Sequence, residues 1–366
     1  MIGRVVLLTV GVLLSGAISP LALPDEGTFV WEPRASLPTA RGGFGSAVLG
    51  GKVYVAGGLI GQWGDDVVTA AFEMYDPATD NWTVLPPLPT PRWGLVLAAL
   101  SDRLVAAGGS IQPFACCGVT NLTEIYVPSL GQWVTGTPMP EPRIFSAGFS
   151  HSGRVHVIGG SRDGTSSTNT QWSYATDWTV EGSLPVAVQN AAAVPLLSRI
   201  HLTGGWPNEP THFALNGSTG QWEFKTGMLK GRGAHATAAL NDRVYVVGGV
   251  TADTTECLPS RSVEAYDYTT DTWSQRPDFP VAYWGLGAAT IGRILYAYGG
   301  GRCDESSSRM FAIVSSIPSD GDGDGNGPPF YGMLVAAVTV AAVSVVIAAV
   351  VVLRRRRRRR VPPRTE

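Results

Sequence analysis

Arg41, Arg92, Arg143 and Arg232 each stand sixteen residues ahead of a glycine pair. Val188 and Tyr283 fill the same position before two further pairs. Aligned by that count, four guanidinium groups fall at one recurring place. The guanidinium fork matches a carboxylate in two parallel hydrogen bonds. Four such groups converging on an axis would clamp an acidic ligand. Two of the following residues, Trp93 and Trp284, would add flat faces beside them. The expected ligand-binding set is therefore Arg41, Arg92, Arg143, Arg232, Trp93, Trp284 and Tyr283. The plainer alternative is that these arginines tie structural units together through carbonyls and carboxylates. A second basic series, Lys52, Arg103, Arg154, Arg199, Arg243 and Arg293, lies in turns and is assigned no role.

Catalytic chemistry is sparse. The five histidines are His151, His156, His201, His212 and His235. His156 and His201 occupy the strand position held elsewhere by Tyr54, Tyr245 and Tyr296, which reads as packing. His235 is the one candidate base near the arginines, but an offset of three from Arg232 in a strand places it on the opposite face. No His-Glu-x-x-His, Gly-x-Ser-x-Gly or phosphate-binding glycine loop is present. No catalytic residue, metal ligand or cofactor is assigned. Asp320, Asp322, Asp324 and Gly325 match the first half of a calcium loop, but its twelfth position is Tyr331 where a bidentate Glu is needed. That stretch reads as a polar linker.

The elements that position these residues repeat. The glycine pairs are Gly57-Gly58, Gly108-Gly109, Gly159-Gly160, Gly204-Gly205, Gly248-Gly249 and Gly299-Gly300, each led by a short apolar run such as Val53-Tyr54-Val55-Ala56. Trp31, Trp82, Trp133, Trp178, Trp222 and Trp273 keep step with them through gaps of 51, 51, 45, 44 and 51 residues. Strand signals at that period are the signature of propeller blades. Glycine marks close backbone approach, and each Trp reads as an apolar plate packing on the next sheet. Phe29-Val30-Trp31 lacks a blade of its own, and the last repeat, ending in Met310-Phe311-Ala312-Ile313-Val314, lacks a Trp strand. The first strand is expected to complete the last blade and close a ring of six.

Met74-Tyr75-Asp76-Pro77-Ala78-Thr79-Asp80-Asn81-Trp82, followed by Leu85-Pro86-Pro87-Leu88-Pro89-Thr90-Pro91-Arg92, resembles the kelch repeat. Ala265-Tyr266-Asp267-Tyr268-Thr269-Thr270-Asp271-Thr272-Trp273 resembles it again. The likeness covers about residues 28–317 and is weakest at Thr176-Asp177-Trp178 and Val186-Ala187-Val188. It implies an all-β, six-bladed propeller of four-stranded sheets and little about activity. In kelch proteins that bind acidic peptides, arginines at this repeat position look like ligand contacts. The Cys, Tyr and His set of kelch-type copper oxidases is not singled out here. A kelch-like epimerase acting on sialic acid is the enzyme rival, since an arginine ring suits a carboxylated sugar. A structural envelope protein is a further alternative.

The ends suggest where the chain works. Residues 1–23 read as a secretory signal, with Arg4 ahead of an apolar Val5–Leu14. The propeller is expected over 24–318 and the linker over 319–331. Residues 332–353 are expected to form one transmembrane helix, uncharged and about 30 Å long. A basic tail, 354–366, carries Arg354 through Arg360, a stop-transfer signal that places it in the cytoplasm. Between Leu23 and Leu353 there are 18 basic and 28 acidic residues, a charge of −10, which argues against a nucleic-acid partner. Asn81, Asn121 and Asn216 are glycosylation sequons, with Asn81 in a turn that crowds it. All four cysteines lie in loops after glycine pairs. Cys257 and Cys303 fall in neighbouring blades and are the reachable bridge, leaving Cys116 and Cys117 to pair or stay free. The expectation is a single-pass cell-membrane binding or adhesion protein, its propeller outside and presented to a protein or glycan ligand, without cofactor.

Overall fold

A computed structural model describes residues 29–315, apart from 63, 114–116 and 256. The stretches expected to be a signal, a linker, a membrane span and a basic tail all lie outside the described residues. Every regular element among the described residues is a strand. No helix there is long and apolar enough to cross a membrane.

Six antiparallel four-stranded sheets follow one another along the chain. Blade one runs Gly45–Leu49, Lys52–Ala56, Phe72–Asp76 and Asn81–Val84 from axis to rim. Blade two runs Val96–Leu100, Arg103–Ala107, Thr123–Val127 and Gln132–Thr135. Blade three runs Ala147–His151, Arg154–Ile158, Thr168–Tyr174 and Trp178–Val188. Blade four runs Ala192–Leu196, Arg199–Thr203, His212–Asn216 and Gln221–Phe224. Blade five runs Ala236–Leu240, Arg243–Val247, Val263–Asp267 and Thr272–Arg276. Blade six takes Gly287–Ile291, Ile294–Tyr298 and Met310–Ser315, and its rim strand is Phe29–Arg34. Phe29 lies opposite Ser315 and Arg34 opposite Met310. The ring thus closes between the two ends of the propeller as expected, and the innermost strands neighbour one another all the way round.

The first hairpin of each blade turns on residues with positive φ. Gly50-Gly51 stand at 58° and 71°, and Asn241-Asp242 at 47° and 58°. That backbone twist matches the twist of the flanking strands.

The glycine pairs join blade to blade. A Cβ on Gly57 would sit 2.2 Å from the Arg92 carbonyl oxygen, and one on Gly204 2.2 Å from that of Arg232. The second glycine donates to the same carbonyl: Gly58 N to Arg92 O at 3.0 Å, Gly109 N to Arg143 O at 2.7 Å, and Gly300 N to Arg41 O at 2.9 Å across the closure. Only a residue without a side chain allows this approach.

The rim tryptophans tie each blade to the one before it, rather than to the one after. Trp82 donates its indole N–H to Ala35 O at 2.8 Å, Trp133 to Pro86 O at 3.0 Å, and Trp273 to Thr226 O at 2.8 Å. Each acceptor lies 47 residues upstream. The turn before the Trp strand braces this joint. The Tyr75 hydroxyl donates to Asp80 Oδ1 at 2.6 Å, and that oxygen also accepts the Ala35 N–H at 3.1 Å. Tyr266, Asp271 and Thr226 repeat the arrangement in blade five. Apolar clusters fill the space between blades, as where Val53, Val55, Tyr75 and Trp82 meet Tyr296, Tyr298 and Ala312.

Candidate functional site

The recurring arginines do not ring the open mouth. Arg41, Arg92, Arg143 and Arg232 are at most 1% exposed. Arg41 donates to Glu73 at 2.6 Å, to Thr39 O at 2.8 Å and to Val55 O at 3.1 Å. Arg92 pairs with Glu124 and donates to Thr90 O and Ala106 O, both at 3.1 Å. Arg232 pairs with Glu264 and donates to Gly248 O at 2.9 Å and Ser262 O at 3.0 Å. Burial lowers all three guanidinium pKa values, and the paired glutamate opposes it. The physical reason is direction. The chain enters each inner strand with the arginine turned back into its own blade, so its donors are spent on the second and third strands. A clamp for an external carboxylate is not available from these side chains.

Each Glu lies 32 residues after its Arg, and its place in the third strand is fixed by register. Glu73, Glu124 and Glu264 lie opposite Val55, Ala106 and Val246. In blade three that register position is Trp172, opposite Val157, and Arg143 sits 4.5 Å over its ring. Arg143 also donates to Glu141 at 2.8 Å and to Thr170 at 2.9 Å. In blades four and six the position is Phe213 and Phe311, opposite Leu202 and Ala297. There the arginine is replaced by Val188 and Tyr283. Arginine therefore appears where its blade offers a carboxylate or an indole face, and nowhere else among the six.

Two residues after each of these positions, the backbone forms a closed cycle. Gly94 N donates to Gly43 O at 2.7 Å, Phe145 N to Gly94 O at 3.0 Å and Asn190 N to Phe145 O at 2.9 Å. Ala234 N then donates to Asn190 O at 2.9 Å, Gly285 N to Ala234 O at 2.8 Å and Gly43 N to Gly285 O at 2.9 Å. All six residues have φ between 53° and 63°. This girdle stands at the entrance of the inner strands. Beyond it runs the central channel, walled by small inner-strand residues such as Ala47, Ala98, Gly148, Ala193, Ala238 and Ala288.

In front of the girdle opens a mouth of about 580 Å³. Trp93, Phe145, Trp206 and Trp284 supply its aromatic walls, while Gln189, Asn190, Asn208 and Thr165 supply polar groups. Trp93 and Trp284 line it. Tyr283 does not. It is buried, and its hydroxyl donates to Glu305 at 3.0 Å. None of the described lining residues is Lys, Arg or His, and Asp66 is the titratable one. Desolvation raises the Asp66 carboxyl pKa first, the nearby charge of Asp65 adds to this, and the Gly64 backbone N–H opposes it. Gln189 Oε1 and Asn208 Oδ1 are buried without a hydrogen-bond partner. Phe145, Asn190, Trp206, Asn208 and Asp66 escaped the reading from sequence. Counting fourteen residues back from each glycine pair would have found Phe145 and Asn190. The others lie in loops that do not repeat.

Other expected residues fall as follows. Cys257 and Cys303 form the bridge between blades five and six, with Cα atoms 4.5 Å apart. Cys116 lies outside the described residues, and Cys117 is exposed. Asn81 is exposed, on the rim strand of its blade. Asn121 donates to Met139 O at 3.0 Å and Asn216 to Glu223 at 3.2 Å. Three of the six basic turn residues pair across their blade, Lys52 with Asp76, Arg199 with Glu223 and Arg243 with Asp267. His201, His212 and His235 are buried, with pKa values lowered to about 3, 4 and 3, desolvation leading in each.

Comparison with known proteins agrees with this architecture. A Kelch motif family model matches residues 40–89 and 231–280, the two stretches whose Tyr-Asp turn is complete. Kelch-like protein 36 of Rattus norvegicus is 26% identical over 272 residues, covering 70% of this chain and 43% of the relative. Kelch-like protein 25 of Homo sapiens is 27% identical over 252 residues, covering 66% and 42%. The chain thus spans less than half the length of these relatives. A solved structure described as "Structure of YjhT" superposes with a TM-score of 0.66 at 17% identity, covering 78% of this chain and 98% of that one. That likeness is one of fold.

Proposed function

The chain is a kelch-repeat β-propeller, and on that premise we propose that it is a membrane-anchored binding module whose mouth seats a segment of a protein partner outside the cell. One observation carries the reading. The six blades contribute to a single recess floored by a closed backbone cycle and walled by aromatic and amide side chains. A pocket of that size with few, placed polar groups is the usual form of a ligand site, and kelch propellers serve as protein-binding modules. The anchored, outward placement rests on the sequence: an apolar N-terminal stretch, the uncharged 333–353 segment and the seven arginines after it. A carboxylated-sugar enzyme loses its clamp here, because the arginines are committed inside the blades. Its acid–base pair would also need a second titratable group beside Asp66 in the mouth.

The test uses intact cells producing the full chain with a photo-crosslinking phenylalanine analogue at Trp206, which is 48% exposed at the mouth. The same analogue at Val84, on the rim strand of blade one, is the control. A membrane-impermeant amine reagent labels the cells in parallel. The expected result is labelled chain and a discrete protein adduct from position 206 alone. Absence of surface labelling defeats the placement. Adducts from both positions, or from neither, defeat the mouth as the site.

A further inference from the structure

The mouth carries a charge signature opposite to the one its arginines suggest. Among the described lining residues the ionisable side chain is a carboxylate, Asp66. Two more carboxylates stand close by. Asp304 borders a recess shared with Trp206 and Asn208, and Glu305 borders a crevice shared with Asp66 and Trp284. One guanidinium, Arg302, borders that same crevice, and it is shared between Asp304 at 2.7 Å and Glu305 at 3.6 Å. The walls are ring systems, whose faces are electron-rich and attract cations. Gln189 Oε1 and Asn208 Oδ1 are acceptors without donors, a deficit that native structures rarely leave unmet. Gln189 is 4% exposed, so the deficit is in the wall itself.

Resting on the mouth as the binding site, we propose that it receives a protonated amine or guanidinium, the side chain of a lysine or arginine on a basic segment of the partner. Asp66 is the counter-charge, Trp93, Phe145, Trp206 and Trp284 form the cage, and the amide oxygens accept the remaining N–H groups. The body of the chain supports the sign. Its charge of −10 between Leu23 and Leu353 draws basic partners toward it and holds acidic ones off. An aromatic cage with an acid at its edge is also selective. A glutamate side chain would meet Asp66 unscreened, and a serine would leave the cage empty.

The test is fluorescence anisotropy on the full chain in a non-ionic detergent. The probes are labelled pentapeptides Gly-Gly-X-Gly-Gly with X as Lys, Arg, Glu or Ser. The Lys and Arg peptides are expected to bind at least about tenfold more tightly than the Ser peptide, and Asp66→Asn to weaken them about tenfold. Asp102→Asn, at an exposed turn of blade two, is expected to change nothing. Equal loss from Asp66→Asn and Asp102→Asn would reduce the effect to overall charge and overturn the proposal. Equal or tighter binding of the Glu or Ser peptide would also overturn it. If Trp206→Ala then weakens that binding, the mouth survives as a site and the cation reading alone fails. No binding by any peptide would remove both.

Discussion

Arg41 reaches Glu73 at 2.6 Å inside blade one, with neither side chain more than 1% exposed. The pair joins the entrance of the inner strand to the third strand of the same blade. Removing one partner leaves a buried charge uncompensated, which costs about 3–5 kcal/mol. Replacing both by apolar groups is often neutral, and blade four is a natural instance, with Val188 and Phe213 at these positions. Arg41→Ala should therefore lower the urea midpoint by an amount equivalent to about 3–5 kcal/mol. Arg41→Val combined with Glu73→Phe should recover more than half of that. A double variant no better than the single one would show that the ion pair, and not its space, is required.

The exchange between blades also explains what could be read in advance. Ring closure and the glycine contacts were legible because both depend on backbone spacing, which the repeat preserves. The arginines were placed correctly along the chain, but their direction was not visible. Arg41, Arg92 and Arg143 stand ahead of the inner strands, outside the period-two alternation, so spacing alone does not fix which way they point. The information was nevertheless present: Glu73, Glu124 and Glu264 follow their arginines by a constant 32 residues. The mouth was half legible. Trp93 and Trp284 belong to the repeat, whereas Asp66, Trp206 and Asn208 sit in loops of unequal length where no period operates.

The backbone cycle contains two residues poorly suited to it. Phe145 and Ala234 hold φ of 61° and 53°, where a Cβ is strained by about 1–2 kcal/mol. Gly43, Gly94 and Gly285 occupy the same place without that strain. Ala234→Gly should raise Tm, with the strain relief partly offset by the greater freedom of glycine in the unfolded chain. Gly94→Ala should lower it, since the new Cβ would stand 2.5 Å from Ile144 Cγ1. A scanning calorimetry trace in which Ala234→Gly is less stable than the parent would mean that the cycle does not carry the strain its geometry implies.

The Cys257–Cys303 bridge closes a loop of 46 residues across the joint between blades five and six. Chain-entropy reasoning gives about 4 kcal/mol for a loop of that length. A Cys257→Ser, Cys303→Ser variant should unfold at lower temperature. Because both residues border the recess beside Trp206, peptide binding at the mouth should also weaken. Lower stability with unchanged binding would confine the bridge to the scaffold.

Acid should loosen the propeller through its buried histidines. His212 donates Nδ1–H to Thr226 O at 3.1 Å, so its Nε2 accepts from His201 Nδ1 at 2.9 Å, and both rings are neutral. His235 is neutral too, its Nε2 3.0 Å from the Thr203 hydroxyl. Their folded pKa values, about 3, 4 and 3, lie below the unfolded value of about 6.5. Between those limits the unfolded chain binds more protons, so stability rises with pH. The loss begins as pH falls through about 6.5 and grows until about 3–4, amounting to several kcal/mol when the groups act together. Leu95 and Leu286 hold the position of His235 in blades two and six, which makes His235→Leu a conservative probe. Thr203 keeps Thr237 as a partner at 3.2 Å in that variant. Tm measured from pH 7 to pH 4.5 should fall less steeply for His235→Leu than for the parent, with the two curves converging or crossing toward low pH. Parallel curves would assign the acid sensitivity to other groups, the rim carboxylates first among them.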